Sequence, residues 1–131
     1  MPKYSTTLRN TRIDAITTAI GTSGKLKIYA GSVPANPAAS RAGNTLLADL
    51  DLSSSFAGSA SGGVLTANSI ATEAPVANGT ASFADLTTSG GTVVAQLTVG
   101  VGTGELQLGS LTLNTGVNVN VTSLTITEGN A

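Results

Sequence analysis

The chain has 131 residues, of which 40% are hydrophobic and only 10% charged, against roughly 25% charged in an average globular protein. That length suits one domain, residues 1–131, and the composition is too apolar and too weakly charged for disorder. The sequence has neither His nor Cys. It therefore offers no ordinary zinc or copper site, no Ser-His-Asp triad, no thiol nucleophile and no disulfide framework. No catalytic, cofactor-binding or metal-ligating residue is assigned.

The opening stretch MPKYSTTLRNTRIDAITTAIG has no apolar core of a secretory signal. No run approaches the roughly 18 apolar residues of a membrane-spanning helix. The expectation is synthesis and folding in a cytoplasm, without a membrane partner. The net charge of −1 hides an asymmetry. Lys3, Arg9, Arg12, Lys25, Lys27 and Arg41 against Asp14 leave +5 over residues 1–41; Asp49, Asp51, Glu73, Asp85, Glu105 and Glu128, with no base, leave −6 over the rest. Such a basic front can dock on an acidic surface, whether its own body, a neighbouring copy or another protein. Nucleic acid is not expected, because the bases are few and have no aromatic neighbours for stacking.

Residues 5–20 read as the one helix. Leu8, Ala15, Ile16, Ala19 and Ile20 follow a three-to-four spacing with Ile13 on the flank, Ser5 is a suitable N-cap, and Gly21 suits the C′ position. Arg9 and Arg12, three apart, share a face that is either simply solvated or a basic docking face.

Residues 25–128 read as strands. Leu26, Ile28 and Ala30 alternate with Lys25, Lys27 and Tyr29. The loop GSVPANPAASRAG follows, with Pro34, Pro37 and Arg41; its length marks it as a contact element. Leu46, Ala48, Leu50 and Leu52 then alternate with Asp49 and Asp51. Residues 53–63 are Ser-, Ala- and Gly-rich and expected to be irregular. Val64–Ile70 is a further strand. Asn78-Gly79 predicts a hairpin turn of type I′, and Ser89-Gly90-Gly91 a second hairpin between Thr80–Thr87 and Thr92–Val99.

The last two strands change phase. Leu106 and Leu108 give way to Leu111 and Leu113 across Gly109-Ser110, and Val117, Val119 and Val121 give way to Leu124 and Ile126 across Thr122-Ser123. A hairpin through Asn114-Thr115-Gly116 sets Leu113 against Val117, Leu111 against Val119, Gly109 against Val121 and Leu106 against Leu124. The flips then fall nearly together, as where a strand pair turns from one sheet into another. The fold class expected is all-β: an antiparallel β-sandwich of seven to eight strands, jelly-roll-like, with one N-terminal α-helix. With little aromatic bulk its core is thin, and its weakly charged outer faces call for a defined partner, so self-association is expected.

Other motifs yield little chemistry. Gly100–Gly104 lacks the following helix that a phosphate loop needs, so it reads as a turn. Asp49 and Asp51 share a face without a third ligand. Tyr4, Tyr29, Phe56 and Phe83 are spread too far for sugar stacking, and Tyr29 reads as a contact residue.

The segments STTLRNTRIDAITTAIG, GKLKIYAG, TLLADLDLSSSFAG and VTSLTIT resemble small virion structural proteins of tailed bacteriophages. The resemblance implies a non-enzymatic role in a virion, foremost as a capsid decoration or cement protein. Such a protein self-associates, as a trimer or alternatively a dimer, and bridges the major capsid protein or another virion protein. Arg9, Arg12, Lys25, Lys27, Tyr29, Pro34, Pro37 and Arg41 are the expected docking residues. A tail, fibre or baseplate component is the alternative reading, and a carbohydrate-binding module the third.

Overall fold

The computed structural model describes residues 3–128; the outermost positions of the expected domain, 1–2 and 129–131, lie outside them. Helix α1 spans Thr6–Ile20. The Ser5 hydroxyl accepts a hydrogen bond from the Leu8 N–H at 3.2 Å, and Gly21, at φ 79°, donates its N–H to the Thr17 carbonyl. These are the expected caps. The buried face differs from the expected one. Ile13 and Ile20 are buried and Ile16 half-buried, whereas Leu8, Ala15 and Ala19 are exposed. The helix rotates so that two polar side chains also face inward. Asp14 accepts from the Ala60 N–H and Asn10 from the Gly63 N–H, both at 2.8 Å. Those bonds satisfy loop amides that the helix would otherwise cover, and an unpaired buried amide costs about 1–3 kcal/mol.

Nine strands follow in the described residues: β1 (Lys25–Ala30), β2 (Thr45–Asp51), β3 (Val64–Thr66), β4 (Gly79–Thr80), β5 (Phe83–Thr87), β6 (Val93–Gly100), β7 (Leu106–Leu108), β8 (Thr112–Leu113) and β9 (Val121–Thr127). Seven form one sheet, in the order β2-β1-β5-β6-β7-β9-β3, and β4 and β8 pair separately. Alternation places Leu26, Ile28, Leu50, Ala84 and Leu86 on the core face, each without exposed surface. In β2 the ladder shifts beside Ile28/Tyr29, so Leu47 and Ala48 are both buried while Leu46 is only half-buried. That bulge breaks the strict alternation read from the sequence. The end strands of the sheet are also tied to one another. Leu52, just beyond β2, bridges Ile70, four residues beyond β3, and Ala57 bridges Ala67. The stretch expected as a strand over Val64–Ile70 is thus a three-residue strand followed by isolated bridges.

The sheet is mixed, which corrects the expected all-antiparallel pairing. β6 and β7 run parallel, with Val99 beside Leu106 and Gly100 beside Gln107. Parallel neighbours ordinarily need a connection of about a dozen residues or more; here residues 101–105 suffice. The chain makes a tight coil that glycine permits. Gly102 and Gly104 have φ 75° and 84°, and a Cβ on Gly100 would lie 2.6 Å from the Thr103 carbonyl oxygen. Gly100→Ala is therefore expected to destabilise the protein by about 1–3 kcal/mol, as overpacking does. Urea denaturation showing no loss would mean that the coil is not packed this way.

The Ser89-Gly90-Gly91 hairpin forms as expected: β5 pairs antiparallel with β6, the Thr88 N–H donates to the Thr92 carbonyl, and Gly91 sits at φ 92°. The Asn78-Gly79 turn does not form, since neither residue has a positive φ. Gly79 instead belongs to β4, which pairs with β8, and a Cβ there would meet a Leu47 methyl at 2.9 Å. Of the expected terminal pairing, Leu106 does face Leu124, but a register shift sets Leu108, not the expected Gly109, against Val121. Beyond Gly109-Ser110 the chain leaves for the second sheet, as the phase flip implied. Its partner does not follow it. The Leu111 carbonyl accepts from Ala81 and the Val119 N–H donates to Glu73, so Leu111–Val119 and Leu113–Val117 are not pairs.

Candidate interaction surface

The face of β1, β5 and β6 that points away from the core carries most of the charge chemistry. Register aligns Asp49, Lys27, Asp85 and Gln96 in one row across β2, β1, β5 and β6, and Tyr29, Phe83 and Thr98 in the next. The Pro-containing loop, residues 31–44, reaches this face at Phe83, Asp85 and Gln96, while Ala84 and Leu86 face the core, and all five residues of β5 are buried.

Arg41 holds the loop down. Its Nε and Nη2 donate to Asp85 at 2.9 and 2.8 Å, in a two-pronged pair, and Nη2 also donates to Gln96 at 3.0 Å. Nη1 donates back to the loop's own Ala39 and Asn36 carbonyls. The guanidinium lies 5.5 Å from the Phe83 ring centroid, and Phe83 stacks on Tyr29 at 5.2 Å. The side chains of Arg41 and Asp85 are only 11% and 1% exposed. The hydrogen bonds to Asp85 push the Arg41 pKa up, and burial, reinforced by Asp85, pushes the Tyr29 phenol up. Gln96 donates to the Pro34 carbonyl at 2.9 Å, and Asn44 ties the loop's two ends by donating to the Ala30 and Ser32 carbonyls. Planar guanidinium with carboxylate, satisfied on both sides, is the arrangement in which a buried ion pair holds a single geometry.

Three of the other bases, Arg9, Arg12 and Lys25, are also engaged by the chain itself. Arg12 pairs with Glu128 at 2.9 Å and lies over the Tyr4 ring, and Arg9 donates to the Glu128 carbonyl at 3.0 Å. Lys25 pairs with Asp51, whose hydrogen bond pushes the ammonium pKa up. Lys27 stands between Asp49 and Asp85 in the register. Four bases of the basic front, Arg9, Arg12, Lys25 and Arg41, bond to the chain's own body. The structure thus brings Lys27, Tyr29, Pro34 and Arg41 to one face. Lys25 lies at the far end of the same strands, Arg9 and Arg12 lie on α1, and Pro37 is exposed on the loop.

What remains outward is uncharged. Val33 is 57% exposed, and Ser32, Ala35, Asn36, Pro37 and Ala38 are exposed beside it. Sequence reasoning missed Asp85, Gln96 and Phe83, the residues beneath the loop. The one available signal was that Asp85 is the only charged residue between Glu73 and Glu105, inside an otherwise apolar strand. Asp51 is taken by Lys25, and among the described residues no three His, Cys, Asp or Glu side chains gather as metal ligands. No helix in the described residues is long and apolar enough to cross a membrane. Comparison with protein-family models, with curated proteins and with solved structures finds no match to this chain.

Proposed function

We propose that this chain is a non-enzymatic structural protein of a virion, a capsid decoration protein that self-associates and bridges major capsid subunits. The observation that carries the reading is the clamped loop: a buried ion pair fixes residues 31–44 as a rigid, uncharged platform with Val33 and Pro37 outward. A preformed loop loses little entropy on docking, so a modest area suffices for adhesion. The resemblance of the chain's segments to small phage virion proteins supports the same role. Because Arg9, Arg12 and Arg41 are tied up within the chain, docking rests on the Pro loop and its shape rather than on the guanidinium groups, and it depends only weakly on salt. The finer architecture belongs to the same proposal: the mixed sheet and the β4–β8 pair close over one core as a sandwich of jelly-roll type.

The test is copy number. Purified particles should carry this protein in numbers comparable to the major capsid protein by gel densitometry, and Val33→Asp with Pro37→Asp should lower that number while the isolated protein keeps its fold and its trimeric or dimeric state in sedimentation. A few copies per particle would favour a tail, fibre or baseplate position, and absence from particles would end the reading.

A further inference from the structure

β7 is too short for the place it occupies, and the sheet is split below it. It pairs with β6 only at Val99 and Gly100 and with β9 only at Val121, Ser123 and Leu124. Toward the other end, β6 and β9 face one another with no strand of the described residues between them. Hydrogen bonds already made fix where their backbone groups point. The Thr98 N–H donates to the Glu105 carboxylate at 3.1 Å and the Thr125 N–H to the Glu105 carbonyl at 3.0 Å. Glu105 is therefore a rung spanning the gap. On the far side of β9, the Glu128 N–H donates to Gly63 and the Leu124 carbonyl accepts from Ala67. Two-residue alternation then directs the N–H and carbonyl of Gln96, and the N–H of Thr127, into the gap, where no strand meets them. Strands flanking one missing strand stand about 9.5 Å apart, room for a single extended chain. A cavity of about 420 Å³ lies there, lined by Gln96, Leu97, Thr125, Ile126 and Thr127, with Ile16 of α1 also in its lining.

We propose that this slot binds an extended, uncharged segment of a different protein, which takes the place of a longer β7 and hydrogen-bonds to both rims. Strand addition of this kind draws affinity from main-chain bonds. Charge complementarity sets the chemistry. Glu105 is the one charged residue among the described residues of the lining, both its carboxylate oxygens already accept from Thr98, and the rest of the lining is Ile, Ala, Gln, Leu, Gly and Thr, which suits an uncharged segment. Several segments of a second copy that could reach the slot are already engaged. Residues 67–71 and 119–120 are bonded within the body and the 31–44 loop is clamped by Arg41, which favours a different protein as the occupant. The site stands on this geometry whether or not the protein belongs to a capsid.

The experiment is amide hydrogen exchange on the full chain at two protein concentrations, with and without a capped peptide of alternating Thr and Val. Without peptide, the Gln96 and Thr127 amides should exchange at least about tenfold faster than those of Leu97 and Ile126, which bond to β5 and β3. Peptide should slow both by a similar factor. The same peptide N-methylated at alternate residues should slow neither, and Thr127→Pro should abolish binding where Thr127→Ala retains it. Because the methyl groups are on the probe, a folding defect in the proline variant leaves the result readable. Protection of both amides without peptide at either protein concentration, which would place the chain's own end in the slot, overturns the proposal. So does protection that grows with protein concentration, which would place a second copy there, or peptide binding that leaves both amides unprotected. None of these outcomes alters the copy number expected in particles.

Discussion

Arg41→Ala should destabilise the protein by about 3–5 kcal/mol, because it strands a buried carboxylate whose cationic partner is gone. Asp85 is fully buried, and Arg41 supplies both of its hydrogen bonds. No other base is within salt-bridge distance of Asp85 among the described residues. The loss extends beyond the pair. Arg41 also donates to Gln96, Ala39 and Asn36 and lies against Phe83, so its removal frees the loop from the sheet. Urea denaturation should report the stability change, and limited proteolysis should show new cleavage within residues 33–42. Replacing both partners by apolar side chains, Arg41→Met with Asp85→Leu, should recover most of the stability, since a buried pair contributes little over well-packed hydrophobic residues. A cost for Arg41→Ala below about 1 kcal/mol, the range of exposed ion pairs, would mean that the clamp is open in solution.

The second large effect is expected at Phe56. It is 1% exposed and belongs to the same buried cluster as Leu52 and Leu65. The other members of that cluster are Leu, Ile, Val and Ala, so Phe56 is its single aromatic side chain. It is held in place from both sides in sequence: its carbonyl accepts from the Asn68 N–H at 2.8 Å, the Asn68 side chain donates to the Ser55 carbonyl, and Ala57 bridges Ala67. A backbone anchored in this way cannot move in to fill a void. Phe56→Ala should therefore cost about 3–5 kcal/mol, the upper part of the range for large-to-small changes. Against a total stability of about 5–15 kcal/mol, that brings the domain near unfolding. Phe56→Leu should recover most of the loss. If Phe56→Ala instead lost less than about 1 kcal/mol in denaturant, the residue would not be part of the core.

Phe56 also shows where sequence reading fails. Its surroundings, Ser53-Ser54-Ser55 before it and Gly58 after it, have no periodicity, and the stretch reads as an irregular link. Its burial goes with a segment arriving from elsewhere, residues 67–68 just beyond β3, which bond to it and its neighbour. The same holds for Arg41. A base in a Pro-rich loop reads as a surface contact, and only the approach of Asp85, 44 residues on, turns it into an internal clamp. Burial of the expected docking residue and exposure of its neighbours Val33 and Pro37 are one event.

Local interactions were readable from the chain alone. Ser5 and Gly21 bound α1 because caps depend on the residue and its immediate neighbours. Leu26 and Ile28 point inward, opposite Lys25 and Lys27, because side chains alternate along any strand. The Thr87–Val93 hairpin follows from a glycine that accepts positive φ. The pairing of Leu106 with Leu124 was legible because apolar phase must match across a buried ladder. Tertiary packing decided the rest: which face of α1 turns inward, the bulge at Leu47, the parallel coil of residues 101–105 and the split between β6 and β9. Each depends on a surface contributed by residues distant in sequence, and alternation within one strand carries no information about how many neighbours that strand will find.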